Sequence, residues 1–156
     1  MPRSTDLTAL DELLTRLIRS SRSATYRARV LDGIRGIPGI EALRILRSIE
    51  ILQRRGKQPS IRDVGADLDI EQSTASRAVN AVVARGLVAR AADDTDLRRV
   101  LLALTETGQA ELTQASQNRM GIMSEVVSDW SAADLAAFVQ LLGRFVEAYE
   151  AVQPRS

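Results

Sequence analysis

The stretch Gln72-Ser73-Thr74-Ala75-Ser76-Arg77-Ala78-Val79-Asn80-Ala81-Val82-Val83-Ala84-Arg85-Gly86-Leu87-Val88-Ala89-Arg90 decides the fold. Ala75, Val79 and Val82 recur at helical spacing and form one apolar stripe. Gly86 then stops the helix, because glycine enters the left-handed conformation freely and the next apolar residue, Leu87, can fold back onto the last turn. The spacing predicts a helix over about 72–85. Its outward side near the N-terminus carries Gln72, Ser73, Thr74, Ser76 and Arg77, with Asn80 one turn further on. These are hydrogen-bonding groups of the kind that meet base edges and phosphates, Arg pairing with guanine and Gln or Asn with adenine. A plain solvated helix exterior is the alternative for the same residues.

Upstream, Ser60 has Asp63 three residues on, a capping pattern that opens a short helix with Ile61, Val64 and Leu68 inward. Asp69-Ile70-Glu71 makes the turn between the two helices, with Ile70 as its buried plug. Two short helices joined by a tight turn form a helix-turn-helix. Downstream, 87–90 reads as a short strand and 99–104 as another. The polar tip between them holds Asp93, Asp94, Thr95 and Asp96, and the hairpin is a wing whose arginines suit a narrow minor groove.

Further out, Leu7, Leu10, Leu14 and Leu17 form a narrow apolar seam behind a Ser4-Thr5-Asp6 cap, on a helix expected to continue through Arg22 and Tyr26 to about Leu31. Gly33, Gly36, Pro38 and Gly39 break it. A second helix begins near Pro38, buries Leu43, Leu46, Ile49 and Leu52, shows Arg44, Arg47 and a Glu50–Arg54 pair on its other face, and ends at Gly56. Past the wing, a helix over about 108–128 places Leu112, Ala115, Ile122 and Val126 on one side. The last helix opens at Ser131 and Asp134 and carries Leu135, Phe138, Leu142, Phe145 and Tyr149 as a second seam.

Composition bounds the chemistry. The 156 residues are 45% apolar and 26% charged, which fits an ordinary globular chain. Net charge is +1, yet it divides as +2 over 1–41, +3 over 42–105 and −4 over 106–156, so the middle segment is the one suited to a polyanion. With neither Cys nor His, thiolate and imidazole catalysis, disulfides and ordinary zinc sites are excluded. No cofactor, no metal and no enzymatic activity are expected, and the acidic tip lacks the Gly and Glu spacing of a calcium loop. Nothing approaches the ~18–20 apolar residues of a membrane span, and the expected location is the cytoplasm.

The ordered strings at 72–77, 85–90, Asp96-Leu97-Arg98-Arg99 and Leu104-Thr105-Glu106-Thr107-Gly108 together resemble the MarR family of winged helix-turn-helix regulators. Leu97 departs from that pattern, where a polar or basic residue is common, and so does Val64-Gly65, where Leu-Ala is usual. The resemblance implies a mainly α fold with a small β-hairpin wing, one domain over 1–156. In it, 5–35 and 108–150 are dimerisation helices and 38–106 is the DNA-binding lobe. It implies a homodimeric repressor on a near-palindromic operator in double-stranded DNA. By it Ser73, Thr74, Ser76 and Arg77 would lie in the major groove and Arg98 would reach the minor groove, with Asp96 orienting the wing; Gln72, Asn80 and Arg99 join them as DNA-contact candidates by residue type and position. It also implies release by a small aromatic or anionic ligand, for which Arg22, Tyr26 and Arg29 are the candidates. The alternative is a winged helix used for protein interaction without sequence-specific DNA reading, favoured by Asp69 and Glu71 beside the turn.

Overall fold

Apolar spacing sets the order of elements. The computed structural model describes residues 3–92 and 100–152. Its helices are α1 (Ser4–Ser21), α2 (Ala24–Val30), α3 (Ile40–Arg54), α4 (Ile61–Leu68), α5 (Gln72–Ala84), α6 (Glu106–Val126) and α7 (Ala132–Val152). Between α5 and α6 lie the strands β1 (Val88–Ala92) and β2 (Val100–Leu104). The chain separates into two compact units that divide between Arg119 and Met120.

In the first unit, α3 buries Leu43, Leu46, Ile49 and Leu52 as its periodicity predicts, and also Ile45 and Ser48. The Ser48 hydroxyl donates to Asp67 Oδ2 at 2.8 Å, which satisfies a buried polar group and ties α3 to α4. The three inward residues of α5, Ala75, Val79 and Val82, are wholly buried. Burying each valine contributes about 1.5–3 kcal/mol, so the underside of α5 is fixed while its outer side stays in solvent. The hairpin pairs antiparallel in the register Val88↔Leu104, Arg90↔Leu102 and Ala92↔Val100. Leu102 N–H also donates to the Pro59 carbonyl at 2.8 Å, joining the segment before α4 to the hairpin.

The caps explain where the short helices start and stop. Ser60 and Asp63 form a reciprocal capping box at the head of α4: Ser60 N–H donates to Asp63 Oδ2 at 2.8 Å, and Asp63 N–H to Ser60 Oγ at 3.3 Å. At the end of α5, Leu87 N–H reaches the Val82 carbonyl at 3.0 Å and Gly86 N–H the Val83 carbonyl at 2.9 Å, with Gly86 at φ 70°. The same pair of bonds closes α4, from Ile70 N–H to Gly65 and from Asp69 N–H to Ala66, but here an aspartate takes the left-handed position at φ 51° and ψ 52°. That conformation costs an L-residue roughly 1 kcal/mol that glycine does not incur. Asp69→Gly is therefore expected to raise the unfolding free energy by about 1 kcal/mol in urea titration; a lower midpoint would show that the aspartate side chain is needed in this turn.

Several expectations are corrected. Ser4 does not cap α1: the cap position falls on Arg3, which pairs with Asp6 at 3.2 Å, and no side chain caps the first turn. The first helix does not run to Leu31. It ends at Ser21, and Ser23 accepts from Tyr26 N–H at 3.1 Å to start α2, a hydroxyl competing successfully with helix continuation. The second helix begins at Ile40, two residues beyond Pro38, and α6 begins at Glu106. The first wing strand runs on to Ala92. Ile70 is half-buried rather than a buried plug. Val126, expected on the inner side of its helix, is 63% exposed, while Leu112, Ala115 and Ile122 are buried.

α6 is anchored at its head. Thr105 Oγ1 accepts from Gly108 N–H at 3.0 Å and donates to the Gly86 carbonyl at 2.6 Å, and Thr105 N–H donates to the Leu87 carbonyl at 3.1 Å. Further along, Glu111 Oε1 accepts from Gly36 N–H at 2.8 Å, and Asn118 Nδ2 donates to the carbonyls of Val30 and Asp32. In the second unit, Ser131 Oγ accepts from Asp134 N–H at 3.1 Å and Trp130 meets Phe138 edge-on at 5.2 Å. No residue of α7 is buried. Phe138, Leu142 and Tyr149 stand exposed along it, as Leu7, Leu10 and Leu17 do along α1.

Candidate nucleic-acid interface

The candidate interface is the outer side of α5. With Ala75, Val79 and Val82 turned into the core, helical geometry leaves Gln72, Ser73, Thr74, Arg77 and Asn80 exposed. Ser76 is half-buried at the edge of this face. Arg77 Nη2 lies 3.5 Å from Thr74 Oγ1, one turn back. Glu71 occupies the cap position of α5 without a side-chain hydrogen bond, so no side chain closes off the first-turn N–H groups. An uncapped helix N-terminus with short hydroxyl residues around it accommodates an anion through backbone donors and the helix dipole. Asp69 and Glu71 are exposed beside it and oppose that attraction.

Asn80 is not free on this face. Its side-chain oxygen accepts a hydrogen bond from Arg90 Nη2, on β1. The sequence marks Arg90 as one of the wing arginines and not as a partner of Asn80. The signal for it was its place at the end of the 85–90 string, but the contact spans a helix end and a turn, and no periodicity reports that. Asp96, Arg98 and Arg99 lie outside the described residues. Of the ligand candidates, Arg22 is the residue closing α1, Tyr26 is half-buried on α2, and Arg29 is exposed on α2. An open groove on α7 is lined by Leu141, Arg144, Phe145, Glu147 and Ala148. Among the described residues, no cluster of acidic side chains is placed to hold a metal ion, and no helix is long and apolar enough to cross a membrane.

Residues 40–108, which span α3 to the head of α6, match the family of winged helix DNA-binding domains. A MarR family protein from Bacillus stearothermophilus superposes with a TM-score of 0.78 at 17% identity, covering 96% of this chain and 99% of that one. The chain has the winged helix fold of MarR family structures. Streptococcus pneumoniae FabT, solved in complex with DNA, shares the fold with a TM-score of 0.75 at 15% identity, over 94% of this chain and 99% of its own. In sequence, the uncharacterized HTH-type transcriptional regulator YwhA of Bacillus subtilis is 23% identical over 138 residues, 88% of this chain and 93% of its own length. The winged helix gives the two family strings a structural meaning. In 104–108, Thr105 caps α6 and Gly108 passes against Leu87; in 85–90, Gly86 turns the chain and Leu87 is buried.

Proposed function

We propose that this protein is a sequence-specific DNA-binding transcriptional regulator, a repressor that acts as a homodimer on a near-palindromic operator and is released by a small ligand. The observation that carries it is the outer side of α5: an uncapped N-terminus and a polar face of Gln72, Ser73, Thr74, Arg77 and Asn80 over a wholly apolar underside. That combination fixes the helix rigidly while presenting donors and acceptors outward, which is what entry into a major groove requires. Repression by occupancy needs nothing beyond tight binding at a promoter. A cytoplasmic location follows from such a role.

Dimerisation is supported by the unburied seams of α1 and α7, whose leucines and aromatics are costly to leave in water. Two winged helices related by a two-fold axis match half-sites about one helical turn apart, ~34 Å. At the wing, Arg98 and Arg99 are proposed to meet DNA, with Asp96 orienting the hairpin. For the ligand, Arg22 and Arg29 supply cationic groups and Tyr26 an aromatic one, the chemistry an aromatic carboxylate would need.

The test is capture of genomic fragments by the purified full-length protein, followed by gel shifts on the enriched sites. Arg77→Ala is expected to weaken binding by about 10- to 100-fold, corresponding to loss of one base or phosphate contact of ~1–3 kcal/mol. Affinity within twofold of the parent on a captured site would remove Arg77 from the interface. The exposed carboxylates of Asp69 and Glu71 favour a second reading, a winged helix that binds protein partners and does not read DNA. Failure to enrich any sequence, with the protein folded, would decide for it.

A further inference from the structure

The contact between Arg90 and Asn80 joins two elements that the core does not otherwise oblige to share side chains. Asn80 lies on the exposed side of α5, and Arg90 lies in the middle of β1, held opposite Leu102 by the hairpin register. Both residues are exposed, so neither is needed to fill the core. A guanidinium has donors and no acceptor, so only the oxygen of the Asn80 amide can face it. The bond runs from Arg90 Nη2 to Asn80 Oδ1.

We infer that Arg90 is a positioning residue that determines which edge of the Asn80 amide is offered to DNA; the inference rests on the DNA-reading function proposed above. An asparagine that reads adenine uses both ends of its amide, the oxygen accepting from N6 and the nitrogen donating to N7. Here a charged, intramolecular donor already holds the oxygen. A hydrogen bond from an ionised donor is roughly twice as strong as one between neutral groups, so it sets the orientation of the amide, although the oxygen keeps a second lone pair. The end turned away from Arg90 is Nδ2, a donor only. Asn80 thereby loses the two-point pairing that singles out adenine and meets any acceptor alike: a purine N7, guanine O6, thymine O4 or a phosphate oxygen. The sequence of the wing strand thus sets the specificity of a residue on the recognition helix. The adenine pairing expected from residue type alone does not apply at this position.

The experiment is selection of binding sites from a random duplex DNA pool with the full-length protein. It uses the parent and the variants Arg90→Met, Arg90→Lys, Asn80→Ala and the Arg90→Met/Asn80→Ala double variant, each checked for folding by circular dichroism. The parent is expected to enrich one half-site. Arg90→Met is expected to shift preference toward adenine at one position of that half-site, by roughly tenfold in the adenine ratio. Adding Asn80→Ala should erase the shift. Arg90→Lys, which still donates to the same oxygen, should keep the parent's preference. If Arg90→Met lowers affinity uniformly and leaves the preference at every position as in the parent, Arg90 only contacts phosphate and the inference is overturned while DNA reading stands. If the shift survives Asn80→Ala, Asn80 is not its mediator and the inference is likewise overturned. Should the parent enrich no sequence at all, the DNA-reading function itself falls, and this inference with it.

Discussion

Gly108→Ala is expected to lower the unfolding free energy by about 3 kcal/mol or more, among the largest effects a single methyl group can have in this chain. A Cβ at this position would lie 2.0 Å from the Leu87 carbonyl oxygen, 2.9 Å from its carbon and 3.2 Å from the Leu87 Cα. The obstruction is backbone, so no side-chain rotation relieves it. Nor can Leu87 retreat: its side chain is wholly buried, its N–H is bonded to Val82, and its carbonyl accepts from Thr105 N–H. Pushing Gly108 away instead would break its N–H bond to Thr105 Oγ1 and with it the cap of α6. Urea titration followed by circular dichroism measures the effect. Gly121, further along the same helix, has nothing within 4 Å of its missing Cβ. Gly121→Ala should accordingly stabilise by roughly 0.5–1 kcal/mol through helix propensity alone. A Gly108→Ala midpoint equal to the parent's would mean that the joint between Leu87 and α6 is loose.

Leu142→Glu is expected to convert the proposed dimer to monomers at micromolar concentration and to reduce affinity for a captured DNA site by at least about a hundredfold. Leu142 is 39% exposed within its own chain and lies between Phe138 and Phe145 in the seam of α7. In the proposed dimer a carboxylate there would be buried without a partner, at a cost of several kcal/mol, which corresponds to a dissociation constant about a thousandfold higher or more. Because the residue is not part of the core of the single chain, the isolated subunit should keep its fold. Sedimentation velocity reads the association state, and a gel shift on a captured site reads the coupled loss of binding. A variant that sediments as the parent does would move the subunit interface off this part of α7.

Local rules in this chain were legible where one helix turn or one cap decided the outcome. The apolar stripe of α5, the stop at Gly86 and the Ser60–Asp63 capping box all depend on residues within four positions of each other, and the structure has them as the spacing predicts. What failed were places where two local preferences compete. Ser4 and Ser23 are equally good capping residues by type; only Ser23 is used, and so the first helix divides. Val126 has the right spacing for an inner residue but is exposed. At the candidate interface, residue type identified donors and acceptors without showing how they are already engaged. The Arg90–Asn80 bond connects positions whose proximity depends on how β1 leaves α5, which no periodicity encodes. The roles of Gly108 and Thr105 were visible only as members of a family string, since the backbone they serve comes from another part of the chain.

The anchoring of α6 has a mechanical consequence. Its head is fixed to the end of α5 through Gly86 and Leu87, and along its length it also grips the Gly36 amide and the carbonyls of Val30 and Asp32 at the end of α2. At Gly108 the backbone of α6 passes so close to Leu87 that no Cβ fits between them. A tilt of the head of α6 is therefore expected to be passed on to the exit of α5. In the dimer proposed above, that joint would make the setting of each α5 depend on the head of its own α6.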